Sequence, residues 1–172
     1  MSRRRITVMG GGNGARAVAA DMTLAGHQVT LFEFERFHHD VATIFDSKQI
    51  RISGKAREGT ANLHAVTHDI AGALAATELV MIVVPSFAHG AYAEALADHL
   101  RDGHHVVLVP GTFGSLDFLT DVRGRGCTAD ITLSDMDTLP YACRIQGPSE
   151  LHVFHNLSTF GMGVFPAVRT DE

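Results

Sequence analysis

Three small residues carry the clearest chemical signal in this chain: Gly10, Gly12 and Ala15 follow the spacing G-x-G-x-x-G/A. In that pattern the first glycine allows a tight turn, the second lets a ligand approach the backbone, and the small third residue lets a helix pack closely. The helix that begins here offers free N–H groups and a partial positive charge to phosphates. The pattern therefore predicts a site for the pyrophosphate of a dinucleotide, with Asn13 and Gly14 in the same turn.

An acidic residue follows the next apolar segment. Residues 29–32 predict a strand, and Glu33 is the first charged residue after it. A carboxylate at this position accepts hydrogen bonds from a ribose 2′-hydroxyl and repels a 2′-phosphate, which favours NAD over NADP. Arg36 keeps NADP open as an alternative, because a nearby arginine can bind a 2′-phosphate.

The elements that must position these residues alternate between strand and helix. Apolar residues at helical spacing predict a helix over 15–22, and Gly26 is placed to end it. Asp69 and Ser86 are predicted N-caps of later helices. The alternation predicts one α/β domain over 1–172, a Rossmann-type doubly wound, mainly parallel sheet with helices on both faces. The later predicted elements are strands at 49–53, 63–66, 79–84, 106–109 and 131–133, and helices at 69–76, 86–103 and 116–122.

Two prolines stand where neighbouring buried strands are predicted to end. Pro85 follows the strand at 79–84, and Pro110 follows the strand at 106–109. Ligands of such sheets lie beyond the carboxyl ends of the strands. Residues 84–87 and 109–112 are therefore predicted to form part of a cofactor rim.

Composition and motifs argue against several other classes of protein. A net charge of −5 disfavours a nucleic-acid partner, and no apolar segment approaches the length of a membrane span. No glycine precedes Lys-Ser or Lys-Thr, so the chain has no P-loop. The eleven histidines lack metal-ligand spacing, and we predict no metal site. Cys127 and Cys143 form no C-x-x-C pair, which indicates reduced thiols in a cytoplasmic protein.

The chain resembles the N-terminal domain of the octopine/nopaline-type opine dehydrogenases. Members of this family join the amino group of an amino acid to a 2-oxo acid and reduce the imine with NADH or NADPH. The fourth matching block is the most particular to the family, although it lacks the hydrophobic period of a core strand. The matching blocks are GGGNGARAVAADMTLAGHQVTLFE (10–33), VVPSFAHGAYAEALADHL (83–100), VVLVPGTFGS (106–115) and DMDTLPYACRIQGP (135–148).

The resemblance implies which residues meet the cofactor and the substrates. Arg144 is a candidate cation facing a substrate carboxylate, and an exposed arginine without a ligand is the alternative. The amino acid and the 2-oxo acid are the implied substrates. The implied nucleotide site comprises Gly10, Gly12, Asn13, Gly14, Ala15 and Glu33, and the residues implied to border the nicotinamide are Pro85, Ser86 and Phe87.

The sequence departs from the family pattern in two ways. Residues 109–115 read Val-Pro-Gly-Thr-Phe-Gly-Ser where the family usually has Asn-Pro-Gly-Arg-Thr-Gly-Gly, so a polar Asn and an Arg are missing. The family's helical C-terminal domain, which supplies the catalytic histidine and its acidic partner, would begin near residue 167. We therefore predict no catalytic residue in this chain, not even His89, and an NAD(P)-binding domain that is inactive alone.

Two alternatives stay open. The first block also occurs in ketopantoate reductases and glycerol-3-phosphate dehydrogenases. A free-standing, non-enzymatic NAD-binding module is the other alternative. Phe154, Phe160, Val164 and Phe165 are predicted to form an apolar patch that would favour a homodimer or a separate chain carrying the C-terminal domain.

Overall fold

The computed structural model describes residues 3–75 and 77–171, whose strands form two sheets. In chain order the strands are β1 (Arg5–Met9), β2 (Gln28–Phe32), β3 (Gln49–Gly54), β4 (Gly59–Asn62), β5 (Ala65–Thr67), β6 (Leu79–Ile82), β7 (His105–Leu108), β8 (Thr132–Met136), β9 (Tyr141–Gly147), β10 (Glu150–Asn156) and β11 (Met162–Phe165). The helices are α1 (Asn13–Leu24), α2 (His38–Ser47), α3 (Ile70–Leu74), α4 (His89–Leu96) and α5 (Gly114–Gly124).

The main sheet has seven strands in the order β11-β8-β7-β6-β1-β2-β5. Its neighbouring strands pair in parallel, except that β11 runs antiparallel to β8. Helix α1 packs on one face, and α4 and α5 pack on the other, each with its own cluster of buried side chains. The predicted α/β fold with a mainly parallel sheet and helices on both faces is confirmed.

Local signals place the start and end of several helices as predicted. Helix α1 ends before Gly26, whose φ of +96° suits glycine and whose N–H bonds to the Thr23 carbonyl. The Asp69 side chain caps α3 by accepting from the Ala71 N–H at 3.0 Å. The predicted end of that helix, Ala76, lies outside the described residues.

The predicted cap at Ser86 is wrong. Residues 86–88 form a 3₁₀ turn, closed by the Ala88 N–H on the Pro85 carbonyl, and α4 begins only at His89. The turn separates the Ser86 hydroxyl from the first N–H groups of α4, and no side chain caps that helix. Helix α4 also ends at Leu96, earlier than predicted, and Gly103 (φ +84°) lies in the turn before β7 instead.

A second, four-stranded sheet in the order β4-β3-β10-β9 was not predicted from the sequence. The segment predicted as a strand at 49–53 is β3, which joins this sheet, whereas β9 and β10 were missed. In β9, Tyr141 and Cys143 are buried while Ala142 and Arg144 are exposed, so the strand period exists but spans too few residues to stand out.

The second sheet packs on α1, which therefore lies between two sheets and is buried along most of its length. A buried carboxylate joins the two layers. Asp21 accepts from the Tyr141 hydroxyl at 2.7 Å and from the Arg57 guanidinium at 2.9 Å. This packing carries the turn between β9 and β10 to the edge where the main strands end, and the turn becomes a wall of the site.

Candidate functional site

A cleft of about 880 Å³ opens at the carboxyl ends of β1, β2 and β6. Its floor is the glycine turn after β1, and one side is formed by Glu33 and the residues that follow β2. The opposite side carries Pro85 and Phe87, and the β9–β10 turn contributes Gly147 and Pro148. The structure thus brings three of the predicted segments, the glycine turn, the Glu33 segment and residues 84–87, to one edge of the sheet, as expected for a doubly wound fold. Residues 109–112, also predicted for the rim, do not line this cleft.

The glycine turn leaves space where an anion would need it. Gly10 has φ +112°, and a Cβ there would lie 2.9 Å from the Val83 carbonyl oxygen, so the position requires glycine. A Cβ on Gly12 would meet nothing within 4 Å, and Gly12 lines the cleft. No described residue accepts a hydrogen bond from the backbone N–H of residues 12–14. Of these residues Gly12 is the one that lines the cleft, and its open backbone at the start of a helix fits a diphosphate.

Asn13 and Gly14 have a structural role that the sequence did not indicate. The Asn13 side-chain oxygen accepts from the Ile145 N–H of β9 at 2.7 Å. A Cβ on Gly14 would lie 2.9 Å from the Leu139 side chain. Both residues hold the segment before β9 and β9 itself against α1, and neither lines the cleft. Ala15 is fully buried beneath the turn.

Glu33 is only 7% exposed and is held in place by two donors. Its Oε1 accepts from the Phe34 N–H at 2.8 Å and from the Tyr92 hydroxyl at 3.2 Å. Burial, together with the Glu33 carboxylate, raises the pKa of Tyr92, so this hydroxyl stays protonated and donates. Oε2 makes no hydrogen bond to the described residues. The sequence placed Tyr92 only on a packing face, and its contact with Glu33 had no local signal.

Arg36 lies in the same cleft as Glu33. Its guanidinium carbon lies 4.4 Å from the centre of the Phe34 ring and 5.1 Å from that of Phe37. The two groups predicted to distinguish NAD from NADP thus line one pocket, a fixed carboxylate and a cation stacked on aromatic rings.

Arg16 is a cleft residue that the sequence reading missed. It is the first residue after the glycine pattern and is only 3% exposed. Its guanidinium donates to the carbonyls of Gly11, Asp40 and Pro148, at 2.8, 2.5 and 2.9 Å. Position 16 was not on the predicted apolar face of the helix, and the arginine directly after the glycine pattern was the available signal.

The segment after β6 separates this cleft from a second one. Phe87 is 90% exposed and lines both, while Ser86 lines only the second, of about 660 Å³. His89 also lines the second cleft, yet it is buried and its Nε2 has no hydrogen-bond partner. Burial lowers the pKa of His89, although the Asp135 carboxylate and the Val84 carbonyl oppose the shift. A histidine kept neutral in this way is a poor proton donor at neutral pH.

Different groups occupy the loop where the family's polar Asn and Arg are missing. Thr112 and Phe113 have positive φ values of 51° and 65°, and Phe113 is exposed. Ser115 donates to the Asp135 carboxylate from its hydroxyl at 2.5 Å and its N–H at 3.1 Å. The loop is therefore anchored to β8 through Asp135.

Arg144 does not reach the cleft. It is exposed on β9, and its guanidinium donates to the neighbouring Cys143 carbonyl at 3.0 Å. Arg144 is therefore exposed outside the cleft, and its role toward a substrate carboxylate stays a prediction. Within residues 3–75 and 77–171 no cluster of His, Cys, Asp or Glu could hold a metal ion. The same residues contain no helix with the length and apolarity to cross a bilayer.

Comparison with known proteins relates the cleft to nucleotide-dependent dehydrogenases. The family model described as the N-terminus of NAD-dependent glycerol-3-phosphate dehydrogenase matches residues 5–117. An opine dehydrogenase of Arthrobacter sp. (strain 1C) is 28% identical over 163 residues, which is 94% of this chain and 45% of that protein. Octopine dehydrogenase of Pecten maximus is 28% identical over 83% of this chain and 37% of its own length. The chain thus spans less than half the length of these relatives.

A solved structure shares the fold. Octopine dehydrogenase in complex with NADH and agmatine superposes with a TM-score of 0.78 at 23% identity. The match covers 94% of this chain and 42% of that one.

Proposed function

We propose that this chain, which belongs to the family of the N-terminal domain of NAD-dependent glycerol-3-phosphate dehydrogenase, holds NADH in the 880 Å³ cleft. The resemblance to opine dehydrogenases is confirmed by relatives of that name, and the chain is an NAD-binding domain of this group. The observation that carries the proposal is Gly12. Its backbone is open on the cleft that Glu33 also lines, and its N–H has no acceptor among the described residues.

The predicted cofactor residues divide the work in this proposal. The N–H of Gly12, at the N-terminus of α1, binds the diphosphate, while Gly10, Asn13, Gly14 and Ala15 shape and support the turn from behind. The free Oε2 of Glu33 accepts from the adenosine ribose. Pro85 and Phe87 border the nicotinamide, and Ser86 lies just beyond them.

The activity we propose for the whole enzyme is reductive condensation of an amino acid with a 2-oxo acid. The amino group and the keto carbon form an imine with loss of water, and bound NADH supplies the hydride that reduces it. This chain's residues bind and orient the cofactor. Its buried, neutral His89 is unsuited to deliver the proton, so we place the proton donor outside residues 1–172, in a C-terminal domain. The chain alone should then bind NADH without turnover.

A second candidate activity follows from the family model, whose description names glycerol-3-phosphate dehydrogenase. Oxidation of NADH by the protein and by a full-length relative should be compared with two substrate sets. One is an amino acid plus pyruvate, and the other is dihydroxyacetone phosphate or ketopantoate. Turnover with the second set only would reject the opine activity.

An exposed apolar surface supports the proposal that this chain has a protein partner. Phe113, Leu116, Met162 and Phe165 line a groove of about 540 Å³ beside β11, the edge strand of the main sheet. We propose that a C-terminal domain, in the same or a separate chain, or a second copy of this chain covers this surface. Of the predicted patch, Phe154 lies apart, on β10 of the second sheet. Sedimentation equilibrium at high concentration tests the homodimer, and a strictly monomeric species would leave the C-terminal domain as the partner.

We also propose that the protein acts in the cytoplasm, where thiols stay reduced. Both cysteines are free and buried. Fractionation of cells producing the tagged protein tests this placement, and recovery in an oxidising compartment would contradict it.

The cofactor site is tested by a substitution that the fold tolerates. Because a side chain at Gly12 meets open space, Gly12→Val should fold normally but block the diphosphate. Gly163→Val is a matched control, since a side chain there also meets nothing within 4 Å. NADH fluorescence titration should detect binding by the parent chain and the control, and none by Gly12→Val. Equal binding by all three would reject the site, and no binding by the parent at millimolar NADH would reject the function.

Substitution of Glu33 tests whether the site prefers NADH over NADPH. Replacing Glu33 with Gln should remove the repulsion of a 2′-phosphate and narrow the preference for NADH over NADPH about tenfold. Arg36→Gln should affect NADPH more than NADH. A parent chain that prefers NADPH would show that Arg36 decides the choice instead.

A further inference from the structure

We infer that Arg16 is a positioning residue for the diphosphate of the cofactor, an inference that rests on the site proposed above. Arg16 stands in the first turns of α1 and lines the same cleft as Gly12. Arg16 orients one peptide of the glycine turn, buries a positive charge and holds two walls of the cleft.

Arg16 orients the peptide between Gly11 and Gly12. Its Nε–H donates to the Gly11 carbonyl oxygen at 2.8 Å. Because the peptide is planar and trans, the Gly11 carbonyl and the Gly12 N–H point in opposite directions. Holding the oxygen on the Arg16 side therefore aims the Gly12 N–H away from the guanidinium. That N–H has no acceptor among the described residues, and it belongs to the glycine that opens on the cleft.

Arg16 also buries a positive charge that no carboxylate contacts directly. Its three bonds go to carbonyl oxygens, and the described part of the chain contains no ion pair of Arg16. The opposing charge that acts on its pKa is that of Asp40, which is half exposed and contacts His39 at 3.2 Å. Burial lowers the pKa of Arg16 from its ordinary value, but a guanidinium stays protonated. An anion in the cleft would stabilise this cation. The partial positive charge at the N-terminus of α1 would attract the same anion.

The guanidinium also holds two walls of the cleft. Its Nη1 donates to Pro148, in the β9–β10 turn, and its Nη2 to Asp40, in α2. These bonds use three of its five N–H groups, so one N–H remains on each Nη atom. A single side chain thus fixes the glycine turn, the second sheet and α2 around the place where the diphosphate would lie.

Arg36 provides the contrast within the same cleft. It is exposed and stacked on Phe34 and Phe37, beyond β2, where a 2′-phosphate would be read. The two arginines should therefore respond to different parts of the ligand. Arg16 should affect ligands that carry a diphosphate, and Arg36 should affect those that carry a 2′-phosphate.

The test compares ADP with adenosine, measured by isothermal titration calorimetry. We expect Arg16→Gln to weaken ADP binding about tenfold and adenosine binding by less than about twofold. Arg16→Lys, which keeps the charge, should recover part of the lost ADP affinity. Arg144→Gln is the control, because this exposed arginine lies outside the cleft, and it should leave the affinities for ADP and for adenosine unchanged. An equal loss for both ligands, or no loss for ADP, would overturn the inference.

A second measurement uses the parent chain and does not depend on a variant that folds. The Nε–H of Arg16 is buried and hydrogen-bonded, so its ¹⁵N–¹H resonance should be sharp. It should shift on addition of ADP and not on addition of adenosine. Absence of an ADP-specific shift in a chain that binds ADP would reject the role of Arg16 alone. A parent chain that binds neither NADH nor ADP would reject the cofactor site and this inference together.

Discussion

The hydroxyl of Tyr92, on α4, donates to the carboxylate of Glu33, just beyond β2, across 3.2 Å. This bond crosses the end of the main sheet and fixes the carboxylate that would meet the adenosine ribose. Together with the Phe34 N–H it occupies Oε1, while Oε2 receives no hydrogen bond from the described residues. The orientation of the predicted specificity residue thus depends on a helix that follows it by more than fifty residues.

Replacing Tyr92 with Phe should weaken both folding and NADH binding. The change removes one donor from a buried carboxylate while keeping the ring, and should lower the free energy of unfolding by about 1–2 kcal/mol. NADH affinity should fall a few-fold because Glu33 loses its fixed orientation. Urea denaturation and fluorescence titration measure the two effects. Unchanged affinity in a folded Tyr92→Phe variant would show that the bond does not serve the cofactor.

Alkaline titration should show that both tyrosines resist ionisation in the folded protein. Burial raises the pKa of Tyr92 and of Tyr141, and each hydroxyl also donates to a carboxylate, Glu33 and Asp21 respectively. These are the chain's two tyrosines. Absorbance at about 295 nm should show no phenolate in the folded protein near pH 10, where unfolded tyrosines are half ionised.

The free energy of unfolding should therefore fall at alkaline pH. The folded state holds these two protons more tightly than the unfolded state. The stabilisation is therefore complete below about pH 10, the unfolded pKa, and falls as the pH rises above it. Urea midpoints at pH 8 and pH 10.5 should show the loss, and Tyr141→Phe should reduce it. A midpoint that rises with pH would contradict the assignment.

Alanine should destabilise the protein at Gly10 but have little effect at Gly12. Gly10→Ala places a Cβ against the Val83 carbonyl at a φ of +112°. This change should lower the free energy of unfolding by about 2 kcal/mol or more. Gly12→Ala meets open space at φ −77° and should change stability by less than about 0.5 kcal/mol. Thermal denaturation of both variants checks this contrast. Equal losses would mean that the turn differs from the one described.

Asn13→Ala should loosen the second sheet. It removes the acceptor for the Ile145 N–H and should lower the free energy of unfolding by about 1 kcal/mol. Hydrogen exchange at Ile145 should become faster, because its N–H then lacks a partner. Asn62→Ala is a matched control, since the Asn62 side chain accepts from the exposed Gln49 side chain. Similar losses for both variants would argue against a special role for Asn13.

His89 should make the protein less stable in mild acid. Burial lowers its pKa below the ordinary value of 6.5, so the folded state resists protonation. The stabilisation is present above about pH 6.5 and is lost as the pH falls through the folded pKa. The urea midpoint should drop between pH 7.5 and pH 5, and the drop should be smaller in His89→Gln. A His89 side-chain resonance that titrates above pH 6.5 would refute the prediction.

The turn at Gly10 and Gly12, the helix after it and Glu33 could be read from the sequence because short-range constraints specify them. A tight turn demands glycine at fixed spacing, a helix shows its period over a dozen residues, and a buried parallel strand shows as a short apolar run. The alternation of these elements was enough for the fold class and for the edge of the sheet at which a ligand lies. The predicted cap at Ser86 failed because an intervening 3₁₀ turn leaves no local signature.

Only the tertiary structure decided what surrounds that turn. Asn13 reaches Ile145 and Arg16 reaches Pro148, each across 132 residues of chain, and Tyr92 reaches Glu33 across 59. The second sheet that makes the first two contacts possible has strands whose alternation is too short to recognise. Hydrogen bonds of this kind depend on where the packing of two sheets on α1 brings distant segments, and no local pattern encodes that placement. The sequence therefore determined that a dinucleotide could bind at the glycine turn, and the packing decided which side chains hold the turn and the carboxylate in place.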